Sequence, residues 1–178
     1  MHRIVASITS LELHAAALAS GCEAYRPSNC PHCQGCKLWS HGCYHRKADR
    51  RPGALGALNP VAIARYLCAA CLHTCSRVPL CIAPRRWYDW SVQQVVLLLL
   101  LAGVSLHRCS RCTQFERRTI RRWGNWLDQR SEAFVFHLRS RFADFGRESD
   151  TPALWRSVMN AMGLGVAMAW FDQDLVVP

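Results

Sequence analysis

Apolar and polar residues alternate over two stretches of the chain, "KLWSHGCYHRK" at residues 37–47 and "VAIARYL" at residues 61–67. A period of two puts successive side chains on opposite faces, so both stretches read as half-buried strands. Between them "RKADRRPGALGALNP", residues 46–60, is charged and then rich in Gly and Pro, which predicts a loop. Beyond Trp87 the period lengthens to that of a helix. Ser91 with Gln94 three residues later predicts a capping box, and "SVQQVVLLLLLAG" a helix that Gly103 ends. "VSLHRCSRCTQF" predicts a short second helix and "ERRTIRRWGNWLDQR", residues 116–130, a third. At about 100° per residue, Arg117, Arg118, Arg121 and Arg122 of that third helix share roughly 140° of arc, with Ile120, Trp123 and Leu127 opposite. Three such helices with a tight glycine break predict a helix-turn-helix unit. Near the ends, Thr9 and Glu12 form a capping box for a helix that Gly21 closes, while Thr151 and Pro152 are N-cap and first residue of the last helix.

Length and cysteine content narrow the class. The 178 residues suit one ordinary domain or two small ones. Eleven cysteines suit either a disulfide scaffold or metal and redox chemistry, according to compartment. The first 22 residues faintly imitate a lipoprotein signal before Cys22, but Glu12 and His14 interrupt the apolar stretch it needs. "VVLLLLLAGV", residues 95–104, is half the roughly 20 residues of a membrane span, so a buried helix is expected. No membrane partner is expected, and the chain reads as cytoplasmic and reducing, where CxxC pairs signal metal or redox chemistry.

Charge is unevenly placed. Residues 1–122 carry 17 Lys and Arg against 5 Asp and Glu, and residues 123–178 carry 5 against 7, so the net +10 is a basic front and a slightly acidic tail. A one-sided, Arg-rich excess favours a phosphate-bearing partner, because each neutralised phosphate releases a condensed counterion.

Two CxxC pairs carry the chemistry, Cys30 with Cys33 in "CPHC" and Cys68 with Cys71 in "CAAC". Each pair wraps the backbone around one ion, and two pairs on neighbouring hairpin ends complete a tetrahedral thiolate Zn2+ site. The two alternating stretches are then strands of a zinc ribbon, and the metal substitutes for the hydrophobic core that so small a segment lacks. Three alternatives compete. A thioredoxin-like pair needs a βαβ pattern, which is missing. A catalytic zinc would draw on His32, His41, His45 or His73 and keep an open position. In the third, Cys36, Cys43 or Cys75 replaces one of the four or serves a second ion. On the third helix, the four arginines suit phosphates or the O6 and N7 of guanine, against the plainer reading of a solvated face. Trp123 and Trp126 read as core and rim, and Cys109 and Cys112 as buried or incidental.

Together, "CPHC…LWSHGCYHRK…VAIARYLCAACLHTCSRVPLCIAPRRWY" and "RRTIRRW" resemble the amino-terminal part of bacterial insertion-sequence transposases and their orphan relatives, over about residues 28–130. The resemblance implies a zinc ribbon followed by a helix-turn-helix that recognises element ends or another DNA site. It departs where those proteins carry three separated carboxylates on a further domain. Here residues 131–178 offer Asp144, Glu148, Asp150, Asp172 and Asp174 without a strand pattern to array them, and Asp172 and Asp174 read as a solvated end.

The expectation is an α+β protein with a helical lead-in (1–28), a small β zinc ribbon (29–86), a helix-turn-helix (87–130) and a helical C-terminal extension (131–178). Its expected role is non-catalytic DNA binding of transposase-like origin, nucleoid-associated, as a homodimer or beside a separate transposase subunit. The alternatives are a zinc-ribbon interaction module for protein or RNA and a small metal-dependent nuclease.

Overall fold

A computed structural model describes residues 3–46, 60–84, 88–175 and 177. The expected loop at 46–60 lies, except for its two ends, outside the described residues, as does the boundary at Trp87. The chain is α+β and divides into two compact units, one of Met1–Trp90 with Met168–Pro178 and one of Ser91–Ala167.

The first unit holds β1 (Ile4–Val5), α1 (Leu11–Ala19), a 3-10 turn (Glu23–Tyr25), β2 (Leu38–Arg46), β3 (Val61–Cys68), β4 (Thr74–Cys75) and β5 (Val78–Pro79). Strands β2, β3 and β4 form an antiparallel sheet with β3 central, and β1 pairs in parallel with β5. β3 alternates as expected only within each half, because Ile63 and Ala64 are both buried: Val61 and Ile63 on one face, Ala64, Tyr66 and Cys68 on the other. β2 departs from it, because Leu38 is its one buried residue. At His41 and Gly42 two residues face the single Arg65, a bulge that Gly42 accommodates at φ +68°. β2 is also an edge strand, so no further strand covers its outer side among the described residues.

The core of this unit joins Val5, Ile8, Tyr25, Leu38, Ala64 and Tyr66 with Cys30, Cys68 and Cys75. Polar groups tie its layers together. His14 is buried, its Nε2 within 2.8 Å of the Ala62 carbonyl and its Nδ1 2.6 Å from the Tyr25 hydroxyl. With Nε2–H donating to the carbonyl, Nδ1 accepts from the phenol, and the neutral ring is satisfied on both sides. Arg26 donates to the Glu23 carboxylate at 2.8 and 2.7 Å and to the Leu38 carbonyl, with its guanidinium 5.0 Å from the Tyr66 ring. The Tyr66 hydroxyl donates to the Cys22 carbonyl at 2.6 Å.

Two expectations for this unit are corrected. The cap of α1 is Ser10 rather than Thr9, since Ser10 Oγ accepts from Leu13 N–H at 3.2 Å. Asp172 is not a solvated end. It is 2 % exposed and accepts the backbone N–H groups of Arg3 and Ile4, which fasten β1, while Asp174 is exposed.

The second unit is helical: α2 (Trp90–Leu101), α3 (Leu106–Thr113), α4 (Arg117–Arg141), α5 (Thr151–Ala161) and α6 (Gly163–Phe171), with the first residue of α2 and the last turn of α6 assigned to the first unit. α2 ends as expected at Gly103, φ +78°, where Gly103 and Val104 N–H donate to Leu100 and Leu99 carbonyls. No helix among the described residues is long and apolar enough to cross a membrane. Gln94 is not part of a capping box. The helix already begins at Trp90, and the Gln94 amide accepts from Leu164 N–H at 2.6 Å and donates to the Met159 carbonyl at 3.2 Å, pinning the α5–α6 turn.

α4 runs past residue 130, because its apolar stripe continues at helical spacing through Ile120, Trp123, Leu127, Phe134 and Leu138. Phe134 meets Trp155 of α5 edge-to-face at 5.9 Å, and the Trp155 indole N–H donates to Ser131 Oγ at 3.0 Å. The cap of α5 is Asp150, accepting from Ala153 N–H at 2.6 Å, which makes Thr151 and Pro152 the first two helical residues instead of cap and first residue.

Candidate metal centre and basic helix

The sequences "CPHCQG" (30–35) and "CAACLH" (68–73) fold into the same turn twice. In the first, Cys30 N–H donates to the Gly35 carbonyl at 2.8 Å and the Cys30 carbonyl accepts from Gln34 N–H at 2.9 Å. In the second, Cys68 N–H donates to His73 and the Cys68 carbonyl accepts from Leu72 N–H, both at 3.0 Å. Both turns close through a non-glycine residue in the left-handed region, Gln34 at φ +61° and Leu72 at φ +58°. Such strain persists where the surroundings over-determine it. One turn leads into β2 and the other joins β3 to β4, and Ala69 N–H donates to the Lys37 carbonyl at 3.0 Å. The sheet register therefore brings the two pairs face to face.

The sulfurs of Cys30, Cys33, Cys68 and Cys71 all lie within 4.8 Å of one another, with Cys30 to Cys71 and Cys33 to Cys68 at 3.6 Å. Four thiolates around one ion at about 2.3 Å stand roughly 3.8 Å apart in a tetrahedron, whereas a disulfide needs about 2.05 Å. The cluster thus has the size of a four-coordinate metal cage, and the cysteines are free thiols. Gly35 leaves room for it, since a Cβ there would stand 3.3 Å from Cys33 Sγ and 3.7 Å from Cys68 Sγ. Cys36 and Cys43 are exposed and Cys75 is buried in β4, and none of the three joins the group.

The electrostatics match that reading. Backbone N–H groups of Cys33 and His32 hold the Cys30 thiol below its usual pKa, and His32 N–H lies 3.4 Å from its sulfur. Those of Cys71 and Ala70 bring Cys68 down to about 6. At Cys71 the N–H of His73 acts in the same direction, but burial and the neighbouring sulfurs of Cys33, Cys30 and Cys68 outweigh it and push the thiol up to about 12. Four thiolates this close repel one another, and a soft divalent cation is what neutralises them. His32 and His73 stack at 4.3 Å beside the cage, with no place among its ligands. Sequence reasoning treated these histidines only as spare ligands. The five-residue offset makes Gly35 and His73 equivalent as acceptors of the first cysteine's N–H in each turn.

Arg117, Arg118, Arg121 and Arg122 are all exposed on the first turns of α4, while Ile120, Trp123 and Leu127 are buried opposite them. None of the four forms an ion pair among the described residues. α3 precedes them with exposed His107, Arg108 and Arg111, and a three-residue connection from Gln114, φ +59°, to Glu116 joins the helices. Trp126 is half-buried, as a rim residue would be, while Cys109 is buried and Cys112 exposed.

No family model, curated protein or solved structure matches this chain.

Proposed function

We propose that the chain is a zinc-containing DNA-binding protein of transposase-like origin, in which a zinc ribbon stabilises the first unit and α3–α4 act as a helix-turn-helix. The observation that carries the DNA reading is the basic start of α4: four exposed guanidiniums over a buried apolar stripe, none in an ion pair among the described residues, with Asp128 and Glu132 farther along the same helix. The short connection and left-handed Gln114 between α3 and α4 support the helix-turn-helix. Zinc is the metal favoured by four closely spaced thiolates with no open position. The role is binding rather than cutting, acting at the nucleoid in the cytoplasm as a homodimer or beside a separate catalytic subunit.

A gel shift with duplex DNA titrated with salt tests this. Affinity should fall steeply as salt rises, and Arg118→Glu with Arg122→Glu should abolish the shift while zinc content stays at one per chain. Duplex binding that ignores both salt and the charge reversal overturns it.

A further inference from the structure

We propose a second nucleic-acid surface on the first unit: the exposed part of one face of the β2–β3–β4 sheet, where Trp39, Tyr44 and Arg65 form a stacking platform for unpaired bases of single-stranded DNA. Cross-strand partners share a face of the sheet, so the register decides the grouping. Trp39 stands opposite Leu67 and Tyr44 opposite Ile63, with Arg65 between those two on β3 and Thr74 of β4 opposite Leu67. All of them therefore belong to one face. The other face carries Leu38, Ala64, Tyr66 and Cys68 and is the core.

Along β3 this face is buried at Val61 and Ile63, and its exposed part lies on β2. Trp39 is 61 % and Tyr44 36 % exposed, although both are large aromatic residues in an ordered strand. Trp39 makes no ring contact among the described residues, while the Arg65 guanidinium lies 5.9 Å from the Tyr44 ring centroid. Trp39 and Tyr44 face positions four residues apart on β3, about 13 Å along the strand at 3.3 Å per residue. Two π surfaces at that separation, with a cation between them, suit a short run of nucleotides: bases stack on the rings and the guanidinium meets the backbone or a base plane. A duplex hides its base faces in its own stack, so this platform favours a single strand. The choice of DNA over RNA rests on the DNA reading of α4. The stacking itself does not, because it uses different residues in a different unit.

The test is fluorescence anisotropy of the zinc-loaded full chain with labelled oligothymidylate dT12, its abasic analogue, oligouridylate and a short duplex. The expected result is that dT12 binds, that the abasic strand binds at least ten-fold more weakly, and that Trp39→Ala weakens dT12 roughly ten-fold or more. Trp39→Phe should retain most of the affinity, and Arg65→Ala should lose a smaller part. Trp39→Ala should leave duplex affinity and zinc content unchanged, and the α4 reversals should leave the Trp39-dependent part of dT12 binding intact. Equal binding of the abasic strand, or dT12 affinity indifferent to Trp39→Ala, overturns the platform. Tighter binding of oligouridylate than of dT12 overturns the assignment to DNA. Loss of duplex binding alone sinks the α4 reading and leaves the platform standing.

Discussion

Removing the metal should unfold the first unit and spare the second. Cys30 and Cys68 are at once cage members and fully buried parts of the core cluster, which otherwise rests on a handful of side chains such as Tyr25, Leu38 and Tyr66. A structural zinc site supplies on the order of 10 kcal/mol of folding free energy, comparable to the 5–15 kcal/mol total stability of an ordinary domain. Without that contribution, four sulfurs within 4.8 Å of one another repel as they ionise and the two left-handed closures at Gln34 and Leu72 lose what holds them. The second unit contributes no ligand and has its own core of Ile120, Trp123, Phe134, Leu138 and Trp155. Hydrogen exchange read by mass spectrometry, before and after exhaustive chelation, resolves the two. Amides of β3 and of both cysteine turns should lose protection, while those of α4 between Ile120 and Leu138 keep theirs. Cys→Ser at Cys30, Cys33, Cys68 or Cys71 should reproduce the loss, and at Cys36 or Cys43 should not. Full protection of β3 in a demonstrably metal-free chain would refute the reasoning.

Four further outcomes follow from particular contacts. Burial holds His14 below its usual pKa of 6.5 although its bond to Ala62 opposes this, so its contribution to stability is complete above about pH 6.5 and lost as pH falls toward the folded value. Tyr25→Phe leaves His14 Nδ1 without its donor, costing about 1–3 kcal/mol in denaturant titrations at pH 7.5. Gly35→Val forces a side chain against Cys33 and Cys68 sulfur, and metal affinity measured by competition with a chromophoric chelator should drop roughly 10–100-fold, the range seen for residues that support ligands. Asp172→Ala strands the N–H groups of Arg3 and Ile4, so the β1–β5 pairing should exchange faster and thermal stability fall by about 1–3 kcal/mol, whereas no effect would remove Asp172 as the anchor of β1.

The metal cage and the principal strands were legible because their determinants are local. CxxC spacing fixes a turn that can wrap an ion, and alternation marks β3 as a strand, although its buried face changes between Ile63 and Ala64. Burial of Ile120, Trp123 and Leu127 beneath the arginines was legible for the same reason, as one helix decides which side chains share its stripe. Caps were readable only to within a residue: Ser10 beside Thr9 and Asp150 beside Thr151 offer equivalent oxygens, and the reach of each to an N–H three residues on decides between them. Distant partners settled the rest. Two-residue strands such as β1 and β5 exist only through each other and Asp172, and Gln94 spends its amide on a turn some seventy residues away. The sequence by itself determined which cysteines can share an ion and which helix face carries the arginines, since both follow from spacing along the chain. Only the tertiary structure decided that β2 turns Trp39 and Tyr44 outward and that Asp172 turns inward, because a bulge, an edge and a donor pair are properties of chain meeting chain.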